Sequence, residues 1–320
     1  MYYSKFAVGN EPYCLWDWDL PGQSREFVEQ MDPMYFDYVA RSHLAALEGE
    51  EAKRAAIALR VAYHHGLESF FALLCATLQA PDCLVGWLQK YQLGHLREIL
   101  SAVFNQGSIF NKLKIQNLSW ETISDRIHQY YSHPDTDREA ETKRLYALLW
   151  GRFAADFLDA DYMAEYNSIK HGFRARSGGF VLRGGIEQEY GVPAPEENMQ
   201  TIGASEFGMS FLVAESIGAS KRDPHFRVTQ RSLNWSPEAM IIALQLISMS
   251  IHNILSFLKC FYGAAPQTIR YIRPEDSTFF DAPWTYSVGA HKFTFKIPIE
   301  EGHIKRFSNQ DILAAYDTDK

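Results

Sequence analysis

The chain has few of the features that name a chemistry. Its four cysteines, Cys14, Cys75, Cys83 and Cys260, are too scattered for a zinc knuckle or a C-x-x-C redox pair. There is no G-x-x-x-x-G-K-[ST] phosphate loop, no G-x-S-x-G elbow and no H-E-x-x-H zinc motif. The stretch G-G-F-V-L-R-G-G at 178–185 lacks the spacing of a dinucleotide fingerprint, and no alternation of strands and helices surrounds it. One R-G-G is too little for an RNA-binding tail. Glu-x-x-His, which a di-iron bundle needs on two helices, occurs once, at Glu300 and His303, in what reads as a C-terminal loop. No metal and no cofactor is expected. The first residues show no basic segment leading into an apolar run, so a secretory signal is not expected. With the cysteines read as reduced thiols, that points to the cytoplasm.

Positive charge is also scarce. A net charge of -8 and a pI near 5.8 exclude a surface that is basic throughout, as a generic nucleic-acid binder shows. Residues 239–258 carry no charge at all, over about the length a bilayer requires. Gln245, Ser248, His252 and Ser256 nevertheless recur there at three- and four-residue spacing and draw one polar stripe. This predicts a buried helix of a soluble fold with one hydrogen-bonded edge, and no membrane partner. Aromatic residues make up 14% of the chain, and the seven tryptophans are spread along its length. That dispersion fits core and groove packing better than a single platform for stacking bases.

What is present is a change of rhythm along the chain. The periodicities predict an α+β fold: a predominantly helical bundle, an inserted or appended antiparallel β element, and a β-rich C-terminus. Residues 1–35, punctuated by Pro12, Pro21 and Pro33, read as an irregular arm. Residues 36–172 read as the bundle and 173–235 as a Gly-rich loop and β insertion. Residues 236–320 read as a core helix followed by a C-terminal β-hairpin and a short helix. Ser119 reads as an N-cap, Thr136 with Glu139 as a capping box, and Ser236-Pro237 as a helix start. The helix after Thr136 is expected to break near residues 159–161. In H-K-F-T-F-K-I, Phe293, Phe295 and Ile297 alternate with Lys292, Thr294 and Lys296, and Gly289-Ala290 suits a tight hairpin turn. Ser308 and Asp311 suit the cap of a final helix.

One segment stands against the acidic background. Residues 166–186 hold Lys170, His171, Arg174, Arg176, Arg183 and five glycines, and no acid. Acids crowd both sides, with Asp156, Asp159, Asp161 and Glu165 before it and Glu187, Glu189, Glu196 and Glu197 after. A local positive field with glycines that admit backbone N–H groups is what a phosphate site requires. In a helix, Asn167 and His171 share a face beside Lys170 and Arg174. His171 then serves as acid–base group and Asn167 as its orienting partner. Lys170, Arg174, Arg176 and Arg183 hold phosphate. The competing reading makes Gly172 a helix C-cap and the cations its usual complement.

Asn167-x-x-Lys170-His171-Gly172 in a helical protein resembles the motif region of HEPN-type proteins, helical domains found among prokaryotic toxins and defence ribonucleases. Their signature is an Arg followed, after four to six residues, by a His. Here the positions upstream of His171 hold Ala164, Glu165 and Tyr166, so only His171 matches directly. The spacing recurs at Arg60 with His65 and at Arg126 with His133, at the frequency chance supplies. The resemblance implies a ribonuclease, and homodimerisation is the analogy such families suggest.

A second cluster, Arg60, His64 and Glu68 at four-residue spacing with His65 beside them, faces either a central polar site or solvent. The acidic run at 156–165 reads as an exposed helical face. Two functions follow. In one the protein binds RNA or a nucleotide and cleaves RNA; in the other it is a non-enzymatic assembly protein whose basic segment docks an acidic partner or its own 187–197 loop.

Overall fold

In a computed structural model, residues 2–171, 174–217, 226–299 and 307–317 are described. The fold is α+β. The chain divides into two compact units, Met1–Tyr166 with Trp235–Ser287 and Asn167–Asn234 with Val288–Lys320. The division thus falls inside the helix that ends at Lys170, whereas periodicity places the change of character at Gly172.

Unit 1 is helical apart from its first hairpin. Strands β1 (Tyr2–Val8) and β2 (Glu11–Asp17) pair antiparallel where the sequence reads as an irregular arm. Pro12 obscures this strand, yet it stands opposite Ala7, next to the turn-closing pair, where the ladder needs no N–H. Gly9, at φ +58°, makes the turn. The Gln79 side chain grips that glycine, accepting from its N–H at 2.9 Å and donating to its carbonyl at 3.0 Å. Eight helices follow: α1 (Leu20–Gln30), α2 (Tyr35–Leu44), α3 (Ala52–Gln79), α4 (Leu84–Lys90), α5 (Leu93–Phe104), α6 (Trp120–Ile127), α7 (Thr136–Leu158) and α8 (Ala160–Lys170). The last of these crosses into unit 2. Helix α9 (Pro237–Phe261) completes the bundle and packs along α2 and α3.

Helix ends follow local chemistry. Ser119 Oγ accepts from the N–H of Thr122, and Ser236 Oγ from that of Ala239, as their sequence positions predict. Helix α7 differs. Asp135 caps it, accepting from the N–H groups of Asp137 and Arg138, while Glu139 turns to Lys143 at 2.7 Å. The expected Thr136–Glu139 box is therefore replaced by a single Asp135 cap one residue earlier, because a carboxylate is the stronger acceptor at a helix N-terminus. The α7–α8 break lies at Asp159, whose carboxylate accepts from the N–H groups of Asp161 and Tyr162. Arg97 closes the other side, donating to the carbonyls of Phe157 and Leu158.

The uncharged helix α9 passes a length-and-hydropathy test for a membrane span, and 78% of its most apolar window is buried inside the fold. Its polar stripe is occupied. Ser248 Oγ accepts from the N–H of Asp37, and His252 and Ser256 both donate to the carbonyl of Arg270. Beside the stripe, Asn253 donates to the carbonyl of Ile272 and accepts from its N–H, each at 2.9 Å.

Unit 2 is built from short strands. Strands β3 (Ala175–Ser177), β6 (Gly208–Ser216), β7 (Phe226–Asn234) and β8 (Lys292–Lys296) form an antiparallel sheet in the order β3-β6-β7-β8. Strands β4 (Val181–Gly184) and β5 (Gln200–Ala204) form a second pair with a bulge at Leu182/Arg183. The alternating run at 292–296 is a strand, but no local hairpin precedes it. Its partner is β7, and Gly289-Ala290 instead passes beside β5, with the Ala290 N–H on the Ile202 carbonyl at 3.1 Å. A Cβ at Gly289 would lie 2.2 Å from that carbonyl oxygen, so this close approach, together with a φ of +67°, demands the glycine although no hairpin turn forms there. The final helix, α10 (Asn309–Asp317), is capped by Ser308, which also bonds Asp311 as its sequence suggests.

Asn253→Ala removes both bonds that hold the chain at Ile272 and strands the N–H of that half-buried residue. A loss of about 2–3 kcal/mol in urea unfolding is expected; a change under about 0.5 kcal/mol would contradict this role.

Candidate functional site

The two sequence-predicted clusters meet opposite fates. In unit 1, the i, i+4 stripe on α3 brings Arg60 and His64 inward, where each is buried. Their partner is Glu165 on α8, which is fully buried. Arg60 gives Glu165 Oε2 two bonds, from Nε at 2.9 Å and from a terminal nitrogen at 2.7 Å. His64 Nε2 lies 3.0 Å from the same oxygen, and Trp235 Nε1 donates to Oε1 at 2.8 Å. The remaining guanidinium nitrogen donates to the Tyr162 hydroxyl at 3.0 Å. Tyr162 and Trp235 also present ring faces to the guanidinium, with centroids 4.1 and 5.4 Å from its carbon.

The protonation states follow from burial and pairing. Burial alone would raise the Glu165 carboxyl, but the Arg60 charge and the His64 bond outweigh it and hold it at about 2. Burial pushes His64 below its ordinary value; the Glu165 bond opposes this and Arg60 adds to it. The ring is therefore neutral and Nε2–H donates, so the contact is a hydrogen bond and not an ion pair. Arg60 stays charged: burial works against it, and Glu165 more than compensates. The result is one cation, one anion and one neutral imidazole, with the carboxylate taking four donors.

That arrangement clamps helices together; it is poorly suited to proton transfer at neutral pH, because its carboxylate stays ionised and saturated. The solvated-edge reading of Arg60, His64 and Glu68 is thus corrected. Glu68 is half-buried and accepts from the hydroxyls of Tyr166 at 3.2 Å and Tyr91 at 3.4 Å. His65 points away, exposed, with its ring edge-on to Phe36. The acidic run at 156–165, across the α7–α8 break, is likewise not an exposed face. Asp156 accepts from the Tyr63 hydroxyl at 2.7 Å, Asp159 caps a helix, and Glu165 is the buried anion. A signal for Glu165 existed: Tyr162, Glu165, Tyr166 and Ile169 share the i, i+3, i+4, i+7 face of α8.

In unit 2 the cationic segment is at the surface. Lys170 and His171 are exposed at the end of α8, with the His171 N–H on the Asn167 carbonyl at 3.0 Å. Asn167 is half-buried. Arg174 and Arg176 are exposed, the second on β3, and Arg183 is exposed on β4 in the other sheet. Gly172 lies outside the described residues. The neighbouring glycines serve the fold and are not a ligand cradle. Gly178 and Gly179 donate their N–H groups to the carbonyls of Gly208 and Glu206, and a Cβ at Gly179 would sit 2.2 Å from the Ser205 carbonyl oxygen. Among the described residues, the ion pairs of the sheet converge on Glu215 from Arg227, Arg231 and Lys296, and Arg174, Arg176 and Arg183 take no part. No group of His, Cys, Asp and Glu among the described residues is arranged to hold a metal.

No protein-family model, curated protein or solved structure matches this chain. The site's own geometry carries the argument.

Glu165→Gln leaves the buried guanidinium without its counter-charge, at an expected cost of about 3–5 kcal/mol. Arg60→Met with Glu165→Leu should recover most of that loss. The Glu165 carboxyl is lower in the folded chain than in the unfolded one, so its contribution is complete above about pH 4.5 and is lost as pH falls toward about 2. Thermal melts between those limits should slope steeply in the native protein and less in Glu165→Gln; parallel slopes would contradict the assignment.

Proposed function

We propose that unit 2 binds a phosphate-bearing ligand, RNA or a nucleotide, through Lys170, Arg174, Arg176 and Arg183. The observation that carries this reading is the exposure of three arginines that take no part in the ion pairs among the described residues of their own unit, in a chain whose net charge is negative. An arginine left without a carboxylate keeps its fork of donors for a ligand, and phosphate matches that fork. The buried cluster in unit 1 supports the same reading by elimination, since its charges are spent on one another.

The HEPN-like resemblance adds a catalytic proposal. His171 would act as the acid–base group of a ribonuclease, with Asn167 and Lys170 beside it. Its exposure at a helix end is compatible with access to a substrate hydroxyl. An acidic protein partner would use the same cations, and competition by polyglutamate against polyphosphate separates the two ligands.

Binding of an oligonucleotide should weaken steeply as salt rises. Arg174→Ala/Arg176→Ala should reduce the slope of log affinity against log salt by about 2. His171→Ala should leave binding intact and abolish any cleavage. Native-like binding in the double arginine variant would remove the assignment.

A further inference from the structure

The four-stranded sheet of unit 2 wears its polarity inside out. The register places Arg176, Ser210, Ser232 and Phe293 in one row across the four strands, all on one face. The next row on that face holds Leu212, Gln230 and Phe295, and the next Ala214 and Val228. Ser232 is buried and Phe180 lies against the Phe293 ring at 6.1 Å between centroids, but this is otherwise the exposed side: Leu212 is 62% exposed, Phe295 58%, Val228 56% and Phe293 43%. The sheet's only carboxylate, Glu215, lies on the opposite face beside Phe211 and Thr229, both buried, where Arg227, Arg231 and Lys296 neutralise it. A sheet face normally turns its apolar side chains inward and its charges to water. Here the charges are paired on the more buried side, and aromatic and aliphatic groups face solvent.

The composition of that face selects its occupant. Among the described residues of its strands it carries flat apolar rings, an amide at Gln230, one guanidinium at the β3 edge and no acid. Arg174 lies two residues before Arg176. From β8 to β3 the face spans about 14 Å at the usual strand spacing, a few nucleotides' length. A ligand that offers flat apolar surfaces together with regularly spaced negative charge is single-stranded nucleic acid; a duplex hides its base faces. An apolar peptide would cover the rings but would give the arginines no anion.

Resting on the phosphate-binding reading above, we infer that this face binds single-stranded nucleic acid. Bases stack on Phe293 and Phe295, Gln230 meets a base edge, and the backbone phosphates reach Arg176 and Arg174. Dispersed tryptophans argue against a platform built from Trp; the rings that form this one are phenylalanines on a single strand.

The test measures fluorescence anisotropy of labelled oligouridylate, the matching DNA, an RNA duplex and inorganic polyphosphate against the full chain at low salt. Three exposed-site variants accompany it: Phe293→Leu/Phe295→Leu, Phe293→Tyr/Phe295→Tyr and Arg174→Ala/Arg176→Ala, each checked for an unchanged melting temperature. Single strands should bind more tightly than duplex or polyphosphate. The Leu pair should weaken that binding by about tenfold or more while the Tyr pair retains it, since stacking needs a ring and burial does not. The RNA and DNA arms show which sugar is accepted. If the Leu pair binds like the native chain, or polyphosphate competes as well as a single strand, the stacking inference falls and the anion site stands. If the Leu pair alters only the oligomeric state, the face is a self-association surface and the inference also falls. If nothing binds and the native chain is folded, both readings fall.

Discussion

The buried carboxylate of Glu165 is the constraint around which unit 1 is arranged. An ionised group with no water around it must find its partners within the protein, or the fold bears several kcal/mol of desolvation. Those partners come from two distant parts of the chain, Arg60 and His64 on α3 and Trp235 just before α9, while Tyr162, one turn earlier on α8, accepts from Arg60. Each donor has one acceptable geometry. Sliding α8 by a residue, or turning it on its axis, would strand a charge. Apolar packing of Phe70, Trp150 and Phe153 supplies bulk stabilisation but tolerates such shifts more readily. The polar cluster thus specifies the alignment of helices that the apolar core holds together.

This assigns different work to the charges of the two units. In unit 1, cations and polar groups at the core are consumed internally: Arg60 by Glu165, Arg97 by the end of α7, Arg273 by Glu141 and Ser277. In unit 2, Glu215 takes three cations, while Arg174, Arg176 and Arg183 remain at the surface of the unit that also exposes Phe293 and Phe295. Desolvating an arginine is unfavourable without an anion, and exposing a phenylalanine is unfavourable without a covering surface. A ligand with both properties relieves both at once.

Much of the fold was legible because it rests on local chemistry. Ser236 with Pro237 starts α9, an acidic residue near 159–161 ends α7, and the alternation at 292–296 makes a strand. Where long-range partners decide, the sequence misleads. Pro12 argues against a strand until its register opposite Ala7 shows that no hydrogen bond is lost. Gly289 looks like a turn residue because the nearness of Ile202 is invisible in one dimension. Glu165 shares a helix face with Tyr162, Tyr166 and Ile169, which hints at burial, but it sits among carboxylates and nothing local announces an arginine 105 residues away. The period of β8 is plain, but the pattern alone does not say that its phenylalanines face water; the charges on the other side of β6 and β7 decide that. The arginines of the basic segment were legible by charge alone, whereas Gly178 and Gly179 spend their N–H groups on Gly208 and Glu206, which only the folded chain brings near.

The most direct measurement is ultraviolet cross-linking of a bound single-stranded oligonucleotide, with the modified peptides mapped by mass spectrometry. Adducts on β8 at Phe293 or Phe295, and on the segment that carries Arg174 and Arg176, are the expected result. Adducts on α3 around Arg60 and His64 would contradict it, because they would make the buried cluster a ligand site and the exposed sheet face incidental.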